Sequence, residues 1–561
     1  MKTAILTFSL ISILFLTNLT AGTIAENKSA KIDSIISQQH SEGQPGGVLA
    51  VISKGDIAEK RFFGIMNSEN NIVIDENTLF DIASVAKQFT AFSILLLEKD
   101  EQIDLDSDIR EYLSYLPDYG YEITIRNLIQ HTSGIASTDW LRLLSGIPFD
   151  IKWTHQDEID IIKKYSRLNF TPNTKHVYSN AGYSLLASIV EEVSGMSFPH
   201  FLSKKVFKPL EMKTAVVYDS PKNEQLNSAT GYKIVNEKAE VVSSSEDFSY
   251  GSGNIHASIN DMISWGNNFF SPKVGDKNII NRMLSKYNVL ENGDSISYTY
   301  GLYVREYKGV KMVSHSGGIP GFRSQFMIFP EDELIVIVML NNESINSSAI
   351  ATSVAELYLA DRIMEKEVAK RVETELNLSK TKSYTGNYTL PDGMEFEFVL
   401  EKDTFWLLLP GDHKFQLFAE SDTEFFLKDF DARVTFLDDS DGDVNEMIWH
   451  QGGNDYHATR SVDRVPLTLE ETAMFAGDYY QKDLKTDYKV VFENDKLSLH
   501  PPETFEKYFG ASFIDLNHVN GDRFATDRFG MVEFTRNNKN EINGFILMNI
   551  GRLQNVEFIK R

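Results

Sequence analysis

Three regimes of hydrophobic spacing divide this chain. Between Gly46 and Gly64 two strand-length apolar runs flank a turn signal at Lys54-Gly55-Asp56, which predicts a hairpin. Near Val304 to Asn341 further runs of this kind appear at Gly309–Val313, Gln325–Phe329 and Leu334–Met339. Between the two groups the period is mostly helical. Val85, Phe89, Phe92 and Leu96 fall at i, i+4, i+7 and i+11, one face of an amphipathic helix, and Tyr183–Val193 and Ile345–Ala369 read the same way. This order predicts an α+β domain: an antiparallel sheet flanked by helices, closed by strands from both ends of the region, with a large helical insert between them.

After the charge-rich Glu365–Lys382 stretch the period falls to two. Met394, Phe396, Phe398 and Leu400 alternate with polar residues, as do Phe405, Leu407 and Leu409. This tail repeats itself. Tyr384-Thr385-Gly386-Asn387-Tyr388 is echoed by Phe475-Ala476-Gly477-Asp478-Tyr479, the Leu400–Phe405 stretch by Phe492–Leu497, and Val434-Thr435-Phe436 by Val532-Glu533-Phe534. Two small all-β barrel modules follow from the echo, with one irregular β domain as the competing reading. The expected division is 1–25 as a signal peptide, 26–372 as the first domain, 373–382 as a linker, and 383–465 and 466–561 as the two β modules.

Lys2, the apolar Ala4–Leu16 run and Thr23-Ile24-Ala25 before Glu26 have the layout of a secretory signal. An uncleaved anchor is the alternative, although the run is short for a membrane span. A secreted or periplasmic location is expected, with no membrane span in the mature chain. Cys is absent, which removes a lipoprotein anchor, disulfides, thiol catalysis and thiolate metal sites. The 12 histidines show no ligand spacing and no His-Glu-x-x-His pair occurs, so neither a metal nor a cofactor is expected. A formal net charge of −25 disfavours nucleic acid as a partner.

Candidate chemistry sits in three short motifs. Ser84-Val85-Ala86-Lys87 opens the first predicted helix. That places a hydroxyl and a backbone N–H at the positive end of the helix dipole, with an amine three residues on over the same face. Tyr178-Ser179-Asn180 precedes the second helix, where Tyr178 can pass a proton and Asn180 can position an amide. His315-Ser316-Gly317-Gly318 ends a strand, and its glycines permit close approach of a substrate backbone. Each has a bland reading as well: an N-capping serine, a capping Asn beside a core Tyr, a glycine-rich hairpin loop. Ser379-Lys380-Thr381-Lys382 and His450-Gln451-Gly452 repeat two of the patterns without suitable neighbours, the second reading as a hairpin turn between barrel strands. Together the three motifs point to acyl transfer through a serine nucleophile.

The region from about Lys31 to Ala369 resembles the superfamily of penicillin-binding proteins and class C β-lactamases. The resemblance rests on Phe80–Thr90, Leu128–Ile135 (Leu-Ile-Gln-His-Thr-Ser-Gly-Ile), Tyr178–Tyr183, Pro209–Met212 and His315–Phe322, in family order. It implies that Ser84 is the acylated nucleophile and Lys87 its base or proton relay. It also implies that Tyr178 is a second base, Asn180 and His315 are further catalytic-site residues, and the N–H groups of Ser84 and Gly318 form the oxyanion hole. His131-Thr132-Ser133-Gly134 reads as structural; Trp140, in the loop that follows, reads either as a wall of the pocket or as a packed anchor. The two β modules resemble the lipocalin-like extra domains of D-aminopeptidases in this superfamily.

One departure matters. His315 stands where lactamases and carboxypeptidases of the superfamily usually carry the Lys of Lys-Thr-Gly. A mostly neutral imidazole is a poor anchor for a substrate carboxylate. The expected substrate is therefore a small peptide, amide or ester, with D-aminopeptidase-like activity leading. A carboxyl esterase or weak β-lactamase on the same fold is the near alternative, and a non-catalytic cell-wall or sugar sensor the distant one.

Overall fold

In the computed structural model the described residues are 28–221, 227–242, 246–285, 288–364, 371–390, 394–409, 413–438, 444–451, 454–461 and 467–561. The expected signal peptide lies outside them. The chain divides into two compact units: one comprises residues up to Ile135 together with Phe149–Glu365, the other Ala136–Pro148 together with Lys366–Arg561.

The first unit is built on a six-stranded antiparallel sheet. Its strands are β1 (Gly47–Ser53), β2 (Asp56–Phe63), β3 (Tyr303–Tyr307), β4 (Val310–Ile319), β5 (Phe322–Phe329) and β6 (Leu334–Leu340), in the order β3-β4-β5-β6-β1-β2. The hairpin from the start of the domain thus completes a sheet whose other strands lie more than two hundred residues later, as the spacing predicts. β1 and β6 pair from Gly47↔Leu340 to Ser53↔Leu334. Both read as almost unbroken apolar runs because both faces of the sheet are covered. Val48, Ala50 and Ile52 enter one core with Ile335, Ile337 and Met339. Leu49 and Val51 enter the opposite core with Val336 and Val338.

Helix α1 (Lys87–Lys99) belongs to the first of these cores, with α2 (Asn180–Ser194) and α3 (Ile259–Asn268). The amphipathic reading of α1 is corrected here. Ten of its 13 residues are buried, polar ones included. Those polar groups are bonded, as burial requires: Trp265 Nε1 donates to Gln88 Oε1, Thr90 Oγ1 donates to the Gly251 carbonyl and Ser93 Oγ to the Phe89 carbonyl. Helix α4 (Ser347–Leu359) covers the other face of the sheet, with Ile350, Ala351, Val354 and Ala355 buried there. It stops well before Ala369, where the apolar pattern would have carried it. The N–H groups of Arg362 and Ile363 both turn back onto the Leu359 carbonyl, and Arg362 pairs with Asp332 at 2.8 Å. The insert is not wholly helical either: Phe80–Asp81, Ile255–Ala257 and Val216–Val217 form a small sheet.

The tail forms two closed antiparallel barrels of eight strands each, from Gly386–Thr389 to Asn454–Arg460 and from Gly477–Gln481 to Leu553–Lys560. The echoed motifs occupy equivalent places. Tyr384 and Tyr388 in one barrel, and Phe475 and Tyr479 in the other, are fully buried. The predicted linker carries a helix, Leu378–Tyr384, capped by Asn377. Its Ser379 and Lys382 are exposed, so that Ser-x-x-Lys lies on a surface helix. His450 lies in a strand ending at Gln451.

Candidate active site

Ser84 is the one residue between Phe80 and Leu95 that is not buried. It lies in a 3₁₀ turn, Ala83–Ala86, that runs directly into α1, so it precedes the α-helix instead of opening it. The turn is held from several sides. Asp81 Oδ1 accepts from the Ala83 N–H at 2.7 Å, and Ser324 Oγ of β5 donates to the Ile82 carbonyl at 2.7 Å. Ala83 takes a φ of +47°, a conformation L residues seldom adopt outside fixed or functional geometry.

Lys87 is fully buried. Its Nζ lies 3.1 Å from Ser84 Oγ and donates to the Ser252 carbonyl at 2.7 Å. A carbonyl only accepts, so one N–H is committed to Ser252 while the same amine also meets the serine. The Nζ also sits 4.8 Å from the ring centre of Tyr178 and 5.6 Å from that of Tyr183. Tyr178 therefore reaches the same point from the segment before α2, and Asn180 is the first residue of that helix.

His131 fixes this segment. Its Nδ1 accepts from the Ser179 N–H at 3.1 Å, its carbonyl accepts from the Val177 N–H, and its ring centre lies 4.3 Å from that of Tyr178. The His131–Gly134 motif acts as a bracket for Tyr178.

The third motif arrives on β4. Pairing of β3 with β4 stops at Tyr303↔Ser314, so residues 315–319 are paired on the β5 side alone among the described residues. Gly317 is dictated by packing: a Cβ there would lie 2.4 Å from the Ile82 carbonyl oxygen and 2.2 Å from Ser324 Oγ. The strand edge is thereby pressed against the turn that carries Ser84, and Gly318 is the next residue along it.

His315 is buried. Its Nδ1 donates to the Ser316 carbonyl at 2.6 Å, which leaves Nε2 to accept from the Tyr298 hydroxyl at 3.1 Å. Burial, reinforced by Lys87 when that amine is protonated, pushes its pKa down to about 3. The imidazole is neutral near pH 7, with both nitrogens engaged inside the protein. The structure thus brings Ser84, Lys87, Tyr178, Asn180, His315 and Gly318 onto elements that converge on one turn. It adds two groups that sequence reading missed, the Ser252 carbonyl and Tyr298. A backbone carbonyl carries no residue-type signal, and Tyr298 belongs to no motif.

Comparison with known proteins agrees with this geometry. Residues 32–360 match the model of the Beta-lactamase family, and residues 370–471 match a domain of unknown function, DUF3471. Penicillin-binding protein 4* of Bacillus subtilis (strain 168) is 26% identical over 461 residues, covering 78% of this chain and 99% of that protein. D-aminopeptidase of Brucella canis is 28% identical over 305 residues, 54% of this chain and only 58% of the relative. Among solved structures, the octameric penicillin-binding protein homologue from Pyrococcus abyssi shares the fold with a TM-score of 0.53 at 21% identity, over 85% of this chain and 98% of that one. The family model spans more than half of the chain, and its serine and lysine are in contact: the chain belongs to the Beta-lactamase family of penicillin-binding-protein-type serine hydrolases.

Proposed function

We propose that the protein is an exported amidohydrolase that acylates Ser84 with the acyl part of small peptides or amides, those of D-amino acids foremost. The observation that carries the reading is the neutral, internally bonded His315 at the position where a carboxylate-binding cation would stand. A site without that cation suits substrates that lack a free carboxylate beside the scissile bond. The D-aminopeptidase relative supports the same substrate class, and the apolar Ala4–Leu16 stretch after Lys2 supports export.

In the proposed reaction Ser84 Oγ attacks the acyl carbon while its proton passes to the lone pair of Lys87 Nζ, which enters this step as the neutral amine its burial favours. The carbonyl oxygen becomes the oxyanion, stabilised by the N–H groups of Ser84 and Gly318. The proton then moves by way of Tyr178 to the departing amine as the C–N bond breaks. Water, deprotonated through the same groups, releases the acid and restores Ser84. His315 touches none of the reacting atoms in this scheme. With Tyr298 it shapes the strand that presents Gly318, and is a positioning residue.

Intact mass after incubation with a fluorophosphonate, a penicillin, D-alanine amide and L-alanine amide tests the reading. The fluorophosphonate is expected to add once, at Ser84. D-alanine amide is expected to turn over faster than the L-form, and penicillin to acylate slowly. Ser84→Ala should lower turnover by about 10³-fold or more. Equal turnover by that variant, or penicillin hydrolysis outpacing the amides, would discard the proposal.

A further inference from the structure

The chain leaves its catalytic unit at Ile135 and returns at Phe149, and the excursion between them belongs to the unit that contains the barrels. The second barrel is shaped to receive it. Trp140 lies against Gly551, where a Cβ would come within 1.9 Å of the indole. Gly551 also has φ +57°, in the turn between strands Ile542–Ile550 and Leu553–Lys560. The Tyr488 hydroxyl, from a different strand, donates to the Leu144 carbonyl at 3.2 Å. Thr504 Oγ1 donates to the Gly146 carbonyl at 2.6 Å. Gly146 stands so close to Pro502 that a Cβ would be 2.7 Å from the ring. Arg552 pairs with Asp139 at 3.7 Å. Separate parts of one barrel surface therefore contact the excursion along its length. Arg142 within it is buried, its guanidinium bonded to the Pro148 carbonyl.

The stem of the excursion is part of the catalytic machinery's support. The Asn169 N–H donates to the Gly134 carbonyl at 2.7 Å, and Ile135 bridges Leu168. His131, in the same turn, brackets Tyr178.

We infer that the second barrel is an intramolecular dock for residues 136–148, and that docking steadies the His131–Gly134 turn and, through it, Tyr178. Trp140 is then an anchor, settling the choice between the two roles its sequence context allows. The barrel acts on the reaction through a loop it holds, and Trp140, Tyr488, Thr504 and Gly551 are positioning residues.

Two variants of the full-length protein test this from opposite sides. Trp140→Ala alters the loop alone; the Tyr488→Phe, Thr504→Val double variant alters the barrel alone. Circular dichroism confirms that each is folded. Undocking exposes Arg142, so tryptic cleavage after it should speed up at least about tenfold where local opening limits cutting. Fluorophosphonate labelling of Ser84 should slow about threefold or more. With an amide substrate kcat should fall while KM stays within about twofold. Protection of Arg142 unchanged in both variants would overturn the dock. Faster cleavage with unchanged labelling and kcat would reduce it to a structural prop and overturn the link to Tyr178. The activity arm rests on the proposed amide substrate. If the wild-type protein turned over no amide, that substrate class would fall, while cleavage and labelling would still decide the dock.

Discussion

In the proposed reaction Lys87 is the residue on which the chemistry turns, and its surroundings bear on that role. It has no exposure to water, one N–H is held by the Ser252 carbonyl, and Ser84 Oγ lies 3.1 Å away. A buried amine is costly when charged, so removing it relieves the fold while disabling the site. Lys87→Met should melt at the same temperature as wild type or higher by scanning calorimetry. Its fluorophosphonate labelling should be slower by about 10² to 10⁴. A variant that melts lower and still labels would show that the lysine is structural. His315 offers a complementary test. With its pKa pushed down to about 3, it does not titrate between pH 5 and 8. The labelling rate should therefore show no inflection assignable to His315 in that range, and His315→Gln should leave the shape of the profile unchanged. An inflection near pH 6.5 that vanishes in His315→Gln would mean that the imidazole takes part in proton transfer.

At the scale of elements, the segment around Tyr250 shows why part of the site was legible in the sequence and part was not. Ser84 and Lys87 share one turn and one helix, so residue type and spacing suffice to pair them. The carbonyls that orient this helix, Gly251 to Thr90 and Ser252 to Lys87, come from a segment more than 160 residues away in which the side chains are irrelevant. The helical period of α1 was legible; its burial on all sides was not, because the partners of Gln88 and Thr90 lie elsewhere in the chain. The Tyr250 segment is itself braced by His155, whose ring stacks on Tyr250 at 3.9 Å and whose Nε2 meets Ser188 Oγ at 2.9 Å. Burial lowers the His155 pKa to about 3. The unfolded chain therefore binds a proton below about pH 6.5 that the folded protein refuses until about pH 3. Stability from this group is full above pH 6.5 and declines as the pH falls through that window, by about 2 kcal/mol at pH 5. His315 contributes in the same direction. In His155→Phe the drop in melting temperature between pH 7.5 and pH 5 should be smaller than in wild type. An equal drop would show that neither the depressed pKa nor the stacking governs the acid response of this segment.

At the scale of the molecule, the tail repeat predicted two modules, and the closed barrels explain the spacing of its echoes. Tyr384/Phe475 and Tyr388/Tyr479 recur because each barrel is entered by a short helix and then a first strand that must close on the last. What the repeat could not convey is that the second barrel carries contacts for residues 136–148, since Gly551 and Trp140 gain meaning only when they touch. The first barrel is filled with aromatic rings. Phe436 lies at their centre, with ring centres 4.4 Å from Tyr384, 5.0 Å from Phe398, 5.5 Å from Tyr388 and 5.8 Å from Phe425. All members of this cluster come from the barrel and its leading segment. A core built, among the described residues, from the barrel's own side chains should unfold by its own transition. Truncating Phe436 to Ala should cost about 3–5 kcal/mol, which in a module of this size lowers its midpoint by more than about 10 °C. Calorimetry of Phe436→Ala should therefore show one transition moved and the others in place, with Ser84 labelling at 25 °C unchanged. A single transition that shifts as a whole, with labelling lost in parallel, would instead mean that the first barrel and the catalytic unit fold as one cooperative body.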